Sequence, residues 1–394
     1  MPNSRLRGAA APPQALARCC RASAHRSARH ATGLKWAEYR FVGVNTPNLA
    51  RIEASSRNPR QTRLPSEAEI WDLLCGAQQL GARVVRTYVL SFCTDGTCHV
   101  RSVSSAVALA AVLPCCSPVA HDFFCCLLPR SNTSALQFGN ASVALQFNEN
   151  WFQALDTAVS AASELGLRLI IPFINVIELE QWGGAASLAR WAGVPASKFF
   201  DHELTATLYK KVVHYVITRK NKITGRLYKN EPAILGWELG NELFKPQCDD
   251  LRPPHCGVEK SLRDMPPVPL AWTRTMAQFI RSIDSNHLII SGSYVHSGAE
   301  LQVEELDIMG GTYYYPDTSN LAKDIAVLKG QRPFLVKEFG LAGFSNFAVV
   351  NQTVELITAS SAVAGGLYWS LRGHARVRQC DWALACVRFV TCSP

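Results

Sequence analysis

Ala233-Ile234-Leu235-Gly236-Trp237-Glu238-Leu239-Gly240-Asn241-Glu242 is a short apolar run closed by a carboxylate, in a chain of 394 residues. Pro333-Phe334-Leu335-Val336-Lys337-Glu338-Phe339-Gly340 repeats the arrangement 96 residues later. Desolvating a carboxylate is costly, so a buried strand seldom ends in one unless the group has a task there. Two such strand ends in one chain suggest paired acid/base and nucleophile work on a glycosidic bond. The separation along the chain means that the fold must bring them together.

Outward from these runs, strand-like and helix-like segments alternate from residue 39. Strands are expected at Tyr39–Asn45, Ala82–Val89, Leu167–Ile174, 233–239, His287–Ser291, Leu306–Gly310, 334–338 and Gly366–Ser370. Ser66-Glu67-Ala68-Glu69 is a capping box opening a helix to about Leu80. Asn148 caps a second, in which Trp151, Phe152, Leu155, Val159 and Ala162 recur at helical spacing and Gly166 is the stop. Further helices are expected near 203–220, 269–284, 321–328 and 350–364. Continuous apolar strands alternating with helices mean a parallel sheet covered on both faces. Eight such units predict an α/β fold, a (β/α)8 TIM barrel, over residues 38–374. No GxGxxG follows the first strand, which argues against a dinucleotide-binding sheet. The polar residues closing the strands, Asn45, Arg86, Asn175, Glu242, Tyr315, Glu338 and Trp369, then converge on one rim.

Two stretches break the pattern. An irregular insertion at about 102–137, after strand 2, is rich in paired cysteines and is followed by an echo, Ala135-Leu136-Gln137-Phe138 and Ala144-Leu145-Gln146-Phe147. It reads as retained non-coding sequence or as a lid. The C-terminal end, 375–394, is an equally irregular tail.

Hydrophobic residues make up 48% of the chain and charged residues 18%, as in globular proteins. The net charge of +9 is unevenly spread: residues 1–37 hold seven basic residues and no acid, leaving about +2 for the rest. That near-neutral body suits an uncharged substrate and does not suggest nucleic acid. The leader resembles an organelle transit peptide, or else lies upstream of a misassigned start. No run of 18 apolar residues is present, so no membrane span is expected. The 14 cysteines form no CxxC or Cys/His metal spacing, though Cys248 and Cys256 are placed to form a local disulfide if the protein is exported. Sequons at Asn132, Asn140 and Asn351 are compatible with export. No metal or cofactor is expected, and the chain is expected to be a monomer.

A retaining glycosidase holds two carboxyls about 5–5.5 Å apart, one a nucleophile and the other acid and then base. Glu242 is the expected acid/base, with the Asn241 amide placed for a sugar 2-hydroxyl. Glu338 is the expected nucleophile, kept ionised by Arg86 and receiving a hydrogen bond from Tyr315. Trp369 and Trp182 offer flat faces to a sugar ring. Asn175 and His296 are further candidates near the rim, and Glu238 is expected to point away from Asn241 by strand alternation.

Val84-Val85-Arg86-Thr87, Trp237-Glu238-Leu239-Gly240-Asn241-Glu242, Tyr313-Tyr314-Tyr315-Pro316, Val336-Lys337-Glu338-Phe339-Gly340 and Trp369 together resemble glycoside hydrolase family 5. Asn221–Tyr228, and Asn175 with Trp182-Gly183-Gly184, resemble segments of its endo-β-1,4-mannanases. The resemblance covers about 39–101 and 138–374. It implies a (β/α)8 barrel, a retaining mechanism without cofactor, a β-mannan substrate and secretion. It also implies Glu242 and Glu338 as catalytic residues, supported by Arg86, Asn241, Tyr315 and Trp369. Two positions depart from the pattern: the family usually has His where this chain has Tyr313, and its mannanases commonly have Pro where this chain has Leu243. Another β-glycosidase of the same family, or a carbohydrate-binding remnant without activity, are the alternatives.

Overall fold

The computed structural model describes residues 39–52, 63–94, 96–103, 133–138, 141–178, 182–251, 264–294, 296, 298–328, 330–341 and 345–372. The leader 1–37 and the tail 375–394 lie outside them, as do Cys256 and most of the expected insertion.

Eight strands form one parallel sheet: β1 (Phe41–Asn45), β2 (Val84–Arg86), β7 (Arg168–Pro172), β8 (Ile234–Glu238), β9 (Leu288–Ile290), β10 (Met309–Tyr313), β11 (Phe334–Phe339) and β12 (Val363–Tyr368). Their order is β10-β11-β12-β1-β2-β7-β8-β9. The ends meet through the Ile290–Ile308 bridge, with Ser291 N donating to Ile308 O at 2.9 Å and Asp307 N to Ile289 O at 2.9 Å. The expected (β/α)8 barrel is therefore the observed one. Around it run α1 (Glu67–Gln79), α2 (Glu149–Leu165), α3 (Ala185–Trp191), α4 (Glu203–Thr218), α5 (Leu270–Ile283), α6 (Ser319–Leu328) and α7 (Phe347–Ala359).

Local chemistry sets the helix ends. Ser66 Oγ accepts from Glu69 N, and the Glu69 carboxylate accepts from Ser66 N at 2.8 Å, closing the capping box. Asn148 caps α2 and Gly166 ends it in the left-handed region at φ 69°. The Trp151, Phe152, Leu155, Val159 and Ala162 face of α2 is buried against the sheet.

Inside the barrel, Phe41, Val84, Ile170, Ile290, Ile308, Leu335 and Leu367 form one apolar layer, each buried side chain worth roughly 1.5–3 kcal/mol. The layer above it is polar and holds the site.

Two strands start elsewhere than expected, and β2 is the shorter Val84–Arg86 in place of Ala82–Val89. The sixth begins at Met309 rather than Leu306, because Leu306 closes a turn, its N–H donating to Val303 O. The eighth begins at Val363 rather than Gly366, because α7 is capped early by Asn346 and ends at Ala359. The glycines of both strands weaken their strand signal.

After β2 comes a small second sheet of β3 (Phe92–Cys93), β4 (Val100–Val103), β5 (Thr133–Phe138) and β6 (Ala141–Phe147), in the order β3-β4-β6-β5. The repeated Ala-Leu-Gln-Phe is the antiparallel pairing of β5 with β6, Ala135 opposite Ala144. The described ends of the insertion are thus regular strands, and Phe147 stacks on Tyr215 of α4 with centroids 3.8 Å apart. A disulfide joins Cys93 and Cys98.

Candidate active site

Arg86 closes β2 with its side chain fully buried inside the barrel. All five of its N–H groups have partners. Nε donates to Glu238 Oε2 at 2.6 Å, and Nη2 donates to Glu238 Oε1 at 3.0 Å and to Asn241 Oδ1 at 2.7 Å. Nη1 donates to Glu338 Oε1 at 2.7 Å and to Asn45 Oδ1 at 3.1 Å. A planar guanidinium is the side chain whose donors can hold two carboxylates and two amides in fixed register.

Two bulges aim the side chains. The β7–β8 register slips between Leu169 and Ile170, which leaves Gly236 opposite Ile170 and turns Glu238 inward. The register of β11 shifts against both neighbours around Val336, so that the consecutive Lys337 and Glu338 both face the interior. Strict alternation would have sent one of them outward. Glu238 and Asn241 likewise both reach Arg86, instead of facing opposite sides as expected, because β8 ends at Glu238 and the chain turns.

Glu242 follows that turn at φ 48°, a left-handed conformation that is uncommon for a residue other than glycine. Such strain concentrates where a side chain must be aimed. The residue as a whole is half-buried, and among the described residues no hydrogen bond from a side chain reaches its carboxyl.

Glu338 receives a hydrogen bond from Tyr314 Oη at 3.0 Å. The expected donor was Tyr315, whose hydroxyl instead donates to Tyr294 Oη at 2.9 Å. Lys337 Nζ donates to Glu238 Oε1 at 3.0 Å. Asn241 Nδ2 donates to Asn175 Oδ1 at 3.2 Å. Asn175 Nδ2 and Thr312 Oγ1 are buried without a hydrogen-bond partner.

The other sequence candidates are spread out. Trp369 is partly exposed and leans on Tyr88, 5.4 Å between centroids. Trp182 is buried, edge-on to the same Tyr88 at 5.0 Å, so its faces are taken by protein. His296 is buried too, one ring nitrogen on Glu300 Oε2 at 2.9 Å and the other on Gly310 O at 2.7 Å, which leaves neither for a ligand. Tyr314 and Lys337 were missed, and only the bulges place them.

Burial, and then the neighbouring charge of Glu338, push the Glu242 carboxyl up to about 8. Burial leaves Glu338 raised as well, although Arg86, the Tyr314 hydroxyl and Lys337 all act to lower it. One carboxyl is thus set to hold a proton at neutral pH beside another that is ion-paired, the arrangement of an acid next to an anion.

Residues 146–309 match the family model described as GH family 5 beta-mannosidase-like. Mannan endo-1,4-beta-mannosidase 1 of Arabidopsis thaliana is 37% identical over 147 residues, 37% of this chain and 32% of that one. Mannan endo-1,4-beta-mannosidase 7 of Oryza sativa subsp. japonica is 32% identical over 223 residues, 54% of this chain and 51% of that one. The chain spans 32% to 66% of the length of the first three curated relatives it matches. Among solved structures, the endo-beta-1,4-mannanase from Thermotoga petrophila superimposes with a TM-score of 0.59 at 22% identity, covering 89% of this chain and 72% of that one. The endo-1,4-beta-mannanase from Rhizomucor miehei gives 0.60 at 19%, covering 86% and 88%. At these identities the two structures speak for the fold. Residues 146–309 are thus similar to the glycoside hydrolase family 5, beta-mannosidase-like model, and they lie in a (β/α)8 barrel whose fold is that of the two solved endo-mannanases.

Proposed function

We propose that this chain hydrolyses internal β-1,4-mannosidic bonds of mannan with retention of configuration. The observation that carries the reading is a Glu338 held by Arg86 and Tyr314 beside a Glu242 whose carboxyl burial pushes up to about 8. The names of its relatives support the substrate class.

In the first step Glu338 attacks the anomeric carbon and the bond to the leaving oxygen breaks, while Glu242 gives its proton to that oxygen. An ester between Glu338 and the sugar results. In the second step water attacks the same carbon and passes a proton to Glu242, and the ester bond breaks to restore the Glu338 carboxylate. Trp369 provides an apolar face for a sugar ring. The free polar atoms of Asn175 and Thr312 suit a hydroxyl-bearing ligand.

The purified protein is expected to shorten β-1,4-mannan to oligosaccharides whose new ends first appear as the β-anomer by proton NMR. Glu242→Ala should lose roughly 10²–10⁴-fold on mannan but far less on a dinitrophenyl mannoside, whose leaving group needs no proton. An active Glu338→Ala variant, or an α-anomer as first product, would sink the assignment. We also propose export to an oxidising compartment, supported by the Cys93–Cys98 disulfide.

A further inference from the structure

Lys337 stands in the wall of the site without a part in the two steps above. Its side chain is fully buried, with Nζ on Glu238 Oε1 at 3.0 Å and on Ser293 O at 3.4 Å. The slot is shaped for it: a Cβ added at Gly310 on β10 would lie 2.7 Å from Lys337 Cγ. A lysine buried this completely is costly unless its charge is answered, and an apolar side chain would fill the space at less cost. Its presence calls for an electrostatic reason.

We propose that Lys337 is a positioning residue that decides where the single proton of the site resides, by neutralising Glu238 so that Arg86 can serve Glu338 and Glu242 keeps the proton. The proposal rests on the reading of Glu242 and Glu338 as a retaining pair. The charged and titratable groups that face one another are Arg86 from β2, Glu238 from β8, Glu242 just beyond it, Tyr314 just beyond β10, and Lys337 and Glu338 from β11. Two cations therefore meet three carboxyls, and the set is neutral with one proton. Glu242, which alone of the three has no cation bonded to it among the described residues, is where that proton costs least.

The balance holds through the cycle. Glu242 becomes an anion as Glu338 becomes a neutral ester, so the site carries two negative charges before and after the first step. Arg86 and Lys337 answer both states. Without Lys337 one negative charge is in excess, and the carboxyls compete for a second proton, which silences the nucleophile whenever it sits on Glu338. The Lys337 charge acts to lower both Glu242 and Glu338, so its removal should raise both.

The test is the pH dependence of kcat/KM for the parent, Lys337→Met and Lys337→Arg, with carbon-13 NMR titration of the glutamate carboxyls. In the Met variant both limbs should move to higher pH by on the order of one unit, as expected for losing one nearby buried charge. The Arg variant should bring them back toward the parent. A Met profile with unmoved limbs, however reduced in height, would overturn the proposal. If Lys337→Met does not fold, Glu238→Gln is compared with the parent instead: it removes the anion that Lys337 neutralises, so the basic limb set by Glu242 should move to lower pH, and an unmoved limb would refute the role. A parent inactive on mannan and on aryl glycosides would remove the functional reading alone. The carboxyl titrations would then still decide whether Lys337 governs the proton.

Discussion

Tyr314 and Tyr315 are neighbours in the chain with different partners, and the difference is measurable. Tyr314→Phe removes a donor to a buried carboxylate, an interaction worth about 1.5–3 kcal/mol. A loss of roughly 10- to 100-fold in kcat/KM is expected, with the acid limb moving to higher pH because Glu338 is left less stabilised as an anion. Tyr315→Phe breaks the bond to Tyr294 and leaves the donor to Glu338 in place, so it should cost far less. A larger loss at 315 than at 314 would reverse this assignment. Arg86, Asn241, Glu242 and Glu338 were legible in the chain because a polar residue closing an apolar run is anomalous by itself. Tyr314 was not, since three consecutive tyrosines carry no mark of which one faces inward. His296 and Trp182 misled for a related reason: residue type announces a capacity to bind sugar, while packing decides whether a face or a nitrogen is left over.

At the scale of elements, the signals with a local cause were readable. Ser66→Ala should destabilise the protein by about 1 kcal/mol through loss of the cap, seen as a lower urea midpoint with unchanged slope. An unchanged midpoint would mean that the Glu69–Arg63 pair, 2.5 Å apart, holds the helix end without Ser66. Bulges have no such local cause. The slip around Val336 depends on how β11 meets β10 and β12 together, and period-two alternation is the rule that it breaks. Glu238 was misdirected by that rule, and Lys337 passed unnoticed under it. The hairpin of β5 and β6 was half visible: its repeat stood out, but nothing in the repeat said that its two copies pair with each other.

For the molecule as a whole, stability should carry the imprint of Glu242. Its folded carboxyl holds a proton up to about pH 8, whereas the unfolded one releases it near 4.5. Its contribution is full below the lower value and is lost as pH rises toward the upper. Buried His99 slopes the other way, because burial lowers it from 6.5 to about 3 and stability falls as pH drops below 6.5. The two oppose each other between about pH 4.5 and 6.5, while Glu338, also raised, slopes the same way as Glu242. The melting temperature should therefore fall from pH 6.5 to about 8 in the parent, and less steeply in Glu242→Gln. Equal slopes would show that the carboxyl is not raised.

The ring of strands has one thin weld. Between β9 and β10 a few backbone bonds replace a full ladder, and the flanking strands β8 and β11 carry Glu238 and Lys337. Their ion pair is thrown across the gap like a clasp. The amides of Ser291 and Asp307 should accordingly take up deuterium before those of the β11–β12 ladder do. An oligosaccharide gripped from both banks, by Glu242 on one and Glu338 on the other, should slow that uptake without touching either amide.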